Sequence, residues 1–66
     1  MNRDEVKPDA REAFWVWLSR RLRKTHGHQA IVGSHPFYTA AAVEGEMRRL
    51  RDAGRIACTN GRWFER

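Results

Sequence analysis

A chain of 66 residues and 7.8 kDa has room for one small domain with a thin core, which excludes an enzyme built around a cleft between two lobes. With 41% hydrophobic and 32% charged residues, and only five Gly and two Pro, the composition is that of a folded globular chain. Thirteen Lys and Arg against eight Asp and Glu leave a net charge of +5, which excludes an acidic mimic of DNA and suits an anionic partner.

In chain order, residues 1–8 mix both signs around little apolar content and read as a flexible N-terminal tail, ahead of a single domain over residues 9–66. Asp9 opens a helix, its carboxylate capping free N–H groups while Glu12 reaches back three residues later. Ala10, Phe14, Trp17, Leu18 and Leu22 share one apolar face, with Trp15 at its edge. Arg20, Arg21, Arg23 and Lys24 meet the negative end of the dipole, and Gly27 closes the helix. Residues 29–32, β-branched and set between glycines, are predicted as a short strand. Residues 33–38 then form a loop, because Pro36 holds His35 out of helical angles.

Thr39 caps a second helix that runs to about Asp52 or Ala53 and stops at Gly54, with Ala40, Val43, Met47 and Leu50 as its apolar stripe. The opposite side carries Ala41, Gly45, Arg48, Arg49 and Asp52, so its N-terminal half has little side-chain bulk and another surface can approach closely. Glu44 with Arg48, and Arg48 with Asp52, have the four-residue spacing of helical ion pairs. Asn60-Gly61, between two strand-like runs, predicts a two-residue hairpin with a type I′ turn. That register sets Thr59 opposite Arg62, Cys58 opposite Trp63, Ala57 opposite Phe64 and Ile56 opposite Glu65. One face then holds Ile56, Cys58 and Trp63, and the other sets Arg55, Arg62 and Arg66 around Phe64.

The fold class read from this order is α+β: helix, short strand, helix, C-terminal β-hairpin. The run Val43-Glu-Gly-Glu-Met47-Arg-Arg-Leu50-Arg-Asp-Ala-Gly54-Arg-Ile56, followed by the Asn60-Gly61 turn and Trp63, resembles the passage from recognition helix into wing of winged helix-turn-helix DNA-binding domains. The resemblance lies mainly in residues 39–66. It implies a winged-helix-like domain whose partner is duplex DNA, with Ala41, Gly45, Arg48 and Arg49 in the major groove and Arg55 and Arg62 near the wing on phosphate. Such a motif has two helices before the wing, and residues 33–54 contain one strong one. Either a single turn at residues 35–38 stands in for the other, or residues 39–44 and the segment from Glu46 form two short helices around Gly45. Glu44 and Glu46, near the groove, would oppose phosphate.

Eleven of the thirteen bases are Arg, whose planar fork grips a phosphate or a guanine edge with two hydrogen bonds. His26, His28, His35 and Cys58 supply zinc-ligand atoms at a spacing that matches no zinc pattern, so no metal and no cofactor is expected. Ser34 beside His35 has no obvious orienting acid and Cys58 sits in a strand, so the chain is not expected to be an enzyme. The lone Cys58 cannot close an internal disulfide and is expected simply to pack. With no long apolar run and no signal-peptide stretch at the start, the expected address is the cytoplasm, away from membranes.

Trp15, Trp17 and Trp63 are more indole than so small a core encloses. At least one is therefore expected to be partly exposed, either as a lid over the core or as an interface for a protein partner or a homodimer, on the Trp15 and Val16 side of the first helix or on the Phe64 face of the hairpin. Two function classes follow. One is a small DNA-binding regulator or accessory factor, of a size that suits a phage, plasmid or other mobile element. The other is a protein-interaction module, such as a small phage-encoded inhibitor or adaptor docking on a host nucleic-acid enzyme.

Overall fold

Phe14, Leu18 and Leu22 recur every four residues and turn inward from the first helix, α1 (Arg11–Leu22), as their spacing requires. The computed structural model describes residues 2–66, and in it α1 is entered through a 3₁₀ turn at Pro8–Ala10 instead of an Asp9 cap. Pro8 fixes the φ of that turn and the Ala10 N–H donates to the Lys7 carbonyl at 3.0 Å, so the entry is made by backbone. α1 also stops well short of Gly27: the N–H groups of Lys24 and Thr25 both donate to the Arg21 carbonyl, at 3.0 Å each.

Residues 29–32 do not form the expected strand; they belong to a short helix, α2 (His28–Val32). Ile31 and Val32 are both buried, which one helical turn packed on the core achieves, whereas a strand would need cover on both faces. Strand pairing survives only as a single antiparallel bridge between Gly27 and Arg62. Residues 33–39 lead into α3 (Ala40–Asp52), which runs unbroken through Gly45. Two helices, α2 and α3, thus lie between α1 and the hairpin, and α3 is neither preceded by a helical turn at residues 35–38 nor split around Gly45.

The expected cap of α3 forms, with the Ala42 N–H donating to Thr39 Oγ1 at 3.2 Å. Val43, Met47 and Leu50 enter the core; Ala40 is exposed, and Ala42 and Glu46 complete the inward side. At the other end the Arg55 N–H donates to the Leu50 carbonyl at 2.9 Å and the Gly54 N–H to that of Arg51 at 3.0 Å. Gly54, at φ +80°, supplies the left-handed residue that this closure demands.

β1 (Ile56–Thr59) and β2 (Arg62–Glu65) pair antiparallel in the register expected from the turn, Ile56 with Glu65 through Thr59 with Arg62. Asn60 at φ 52° and Gly61 at φ 75° provide the two positive angles. Only Ile56 and Trp63 of the hairpin are buried, and Cys58, expected to pack beside them, is exposed although it pairs directly with Trp63.

The segment expected as a flexible tail is tied to the domain. Val6 is buried in the core at 5% exposure, and the backbone N–H and hydroxyl of Thr39 both donate to the Arg3 carbonyl, at 3.0 and 3.3 Å. The result is an α+β domain of three helices and a C-terminal two-stranded hairpin, compatible with a winged-helix shape. No helix among the described residues is long and apolar enough to cross a membrane.

Candidate nucleic-acid interface

Ala41, Gly45 and Arg48 follow at steps of four and three, so they line up on the solvent side of α3, away from Val43, Met47 and Leu50. A Cβ placed at Gly45 would meet nothing within 4 Å, so the row is open to an approaching surface. Along one flank, Asp4, Glu5, Val6 and Arg11 border a cleft of about 200 Å³ whose other wall includes Ala41 and Gly45.

The other flank is held by a chain of hydrogen bonds that starts in the hairpin. Trp63 Nε1–H donates to His28 Nδ1 at 3.0 Å. An indole nitrogen only donates, so the His28 proton resides on Nε2, which donates to Glu44 Oε2 at 2.9 Å. Glu44 Oε1 in turn accepts from Arg48 Nη2 at 2.9 Å. A buried residue of β2 thus orients an exposed arginine of α3 through the first residue of α2.

Arg49, the neighbour of Arg48, has a different role. Its Nε and Nη2 donate to the two oxygens of Glu46 at 3.0 and 2.7 Å, in a forked pair, and Arg11 Nε lies 3.4 Å from the same carboxylate. Glu46 is only 5% exposed, so it faces inward and does not confront a groove as expected. The hydrogen bond to Glu46 raises the Arg49 pKa above its ordinary value, burial working against it and the carboxylate's charge with it.

Of the other candidates, Arg62 flanks the turn, its backbone bridged to Gly27 and its guanidinium 5.9 Å from the Phe64 ring centre. Arg55 is drawn away to α1, 4.0 Å over the Trp15 ring. Asp52 lies 3.4 Å from Arg51 and makes no ion pair with Arg48. Of the residues expected as a protein interface, Trp15 is half-buried under Arg55, Val16 stands 42% exposed on α1, and Phe64 stacks on His26. Sequence reasoning missed His28, whose partners lie 16 and 35 positions away and leave no local signal.

The remaining histidines are engaged as well. His35 packs edge-on to Trp17 at 4.5 Å, and its Nδ1 accepts the N–H groups of Phe37 and Tyr38 at 3.0 and 3.1 Å. Burial lowers its pKa below the ordinary histidine value. Among the described residues no group of three or more His, Cys, Asp or Glu is placed to hold a metal.

What the fold and this face define is a small α+β domain with an open outer helix and a wing-like hairpin. Compared with known proteins, the chain matches no protein-family model, no curated protein and no solved structure.

Proposed function

We propose that the protein is a small regulator or accessory factor that binds duplex DNA in the winged-helix manner, with α3 in the major groove and Arg62 on the phosphate backbone. The observation that carries this reading is the open row of Ala41, Gly45 and Arg48. Small side chains let a helix backbone sit close to base edges, and an arginine oriented from behind, here by Glu44 and His28, is suited to a forked contact with guanine. Asp4, Glu5 and Glu44 oppose phosphate around the first turns of α3, so the base contact falls to the Arg48 end.

The test is a fluorescence-anisotropy titration with random duplex between about 50 and 200 mM salt. Each neutralised phosphate contributes about −0.9 to the log–log slope, so about three contacts give a slope near −2.7. Arg62→Ala should flatten that slope by about one unit on any sequence, while Arg48→Ala should weaken a selected site more than random DNA. A flat salt response, or no binding at about 50 mM salt, would transfer the reading to a protein-docking module. The observation behind that second reading is Val16, 42% exposed next to the half-buried Trp15.

A further inference from the structure

The hairpin has an outward face on which the duplex reading uses Arg62 but leaves an aromatic ring unused. Phe64 stands 39% exposed there, and strand alternation sets it on the same side as Arg62, with Glu65 on the other side alongside buried Trp63. The His26 ring lies against Phe64 with centres 4.4 Å apart and planes 29° from parallel. Two bonds fix His26 to β2: its Nδ1–H donates to the Trp63 carbonyl at 2.7 Å, and the Trp63 N–H donates to the His26 carbonyl at 2.8 Å. The ring pair is therefore preorganised, although it lies at the surface.

The Arg62 guanidinium lies 5.9 Å from the Phe64 ring centre, and the chain leading to His26 is basic. No Asp or Glu occurs in the sequence between Glu12 and Glu44, a stretch that holds Arg20, Arg21, Arg23, Lys24 and His26. Arg62 and Lys24 form no ion pair among the described residues, in contrast to Arg48 and Arg49 on α3. An exposed ring beside an unpaired arginine offers nothing to a duplex, whose base faces are already stacked on one another. It suits a strand with unpaired bases, because stacking and backbone charge are the two attractions such strands use.

We propose that the outward face of the hairpin is a stacking platform for single-stranded nucleic acid, with a base on Phe64 and an adjoining phosphate on Arg62. This does not depend on the duplex reading, and the two separate by mutation. The experiment is an anisotropy titration with a labelled oligothymidylate at about 50 mM salt, in parallel with a duplex of random sequence. Phe64→Ala should weaken the oligothymidylate roughly tenfold or more, and Phe64→Trp should restore it. The same Phe64→Ala should leave duplex affinity within about twofold. Gly45→Glu, which puts a carboxylate on the open side of α3, should abolish duplex binding and spare the oligothymidylate. Thermal melts of each variant check that the fold is intact. Failure of the unaltered protein to bind oligothymidylate, or an unchanged affinity in a folded Phe64→Ala, would overturn the proposal without touching the duplex reading.

Discussion

Glu44 and Glu46 stand two positions apart on α3, each paired with an arginine, and they do opposite things. Glu46 is buried and held by Arg49 and Arg11, so its pairing belongs to the fold. Glu44 lies near the surface, takes Arg48 on one oxygen and His28 on the other, and its pairing belongs to the outer face. Two adjacent arginines that look alike in the sequence are thus divided by the helix: Arg49 satisfies a buried carboxylate, and Arg48, 62% exposed, pairs with Glu44 on the outer face. Positive charge counted along a helix overstates what a phosphate would meet.

The largest effect expected on this contrast comes from Arg49→Ala. Breaking a buried ion pair from one side leaves an uncompensated charge and typically costs about 3 to 5 kcal/mol. Arg49 itself is 40% exposed and Arg11, 3.4 Å from Glu46, remains as a partner, so solvent and the second arginine reduce the expected loss to about 1 to 2 kcal/mol, still a large share of the stability of so small a domain. Urea denaturation measures it, and a midpoint that does not move would show that the buried side of α3 carries no more weight than the exposed side.

Acid should come next. The His35 pKa is lowered by burial, so below the ordinary value of about 6.5 the unfolded chain takes up a proton that the folded chain resists. Stability from this group is complete above about pH 6.5, declines as the pH falls toward the lowered folded value, and levels off below it. Melting curves across that window check the sign. His35→Asn, which keeps an acceptor for the Phe37 and Tyr38 N–H groups, should flatten the dependence. A melting temperature that rises on acidification would contradict the assignment.

Gly45→Ala should raise stability by about 0.5 to 1 kcal/mol, because a mid-helix glycine is disfavoured relative to alanine. The new methyl meets nothing, so no clash offsets the gain. Thermal denaturation reads the shift, and a loss of stability would mean that the outer face of α3 is covered.

The same contrast explains what could be read in advance. The hairpin register, the Thr39 cap and the inward positions Val43, Met47 and Leu50 were legible, because each rests on local geometry: a two-residue turn, a cap three residues from its donor, a helical period. α2 was not, since five residues are too few to show a period and β-branched Ile31 and Val32 favour strand locally. Val6 is a single apolar residue among charges, so only the surrounding core reveals its burial. At the candidate site, Ala41, Gly45 and Arg48 followed from the period of α3. The burial of Glu46 beside Arg11 and the chain from Trp63 through His28 to Glu44 depend on contacts between elements distant in sequence.

The smallest stability effect, and the sharpest test of the comparison, is Arg48→Ala. Its partner Glu44 is near the surface and keeps the His28 hydrogen bond, so removing Arg48 should cost only about 0.3 to 0.5 kcal/mol, the worth of an exposed helical pair. Duplex affinity should respond far more, with about 1 to 3 kcal/mol lost at a selected site if the guanidinium grips a guanine edge. Glu44→Gln supplies the opposite sign: it removes a carboxylate that repels phosphate and releases Arg48, so non-specific affinity should rise while the melting temperature scarcely changes. The pattern that sustains the contrast is a stable, weakly binding Arg48→Ala beside an unstable Arg49→Ala. If both arginines cost the fold equally and neither alters duplex affinity, the outer side of α3 is as structural as the inner side, and the DNA partner must be sought elsewhere or abandoned.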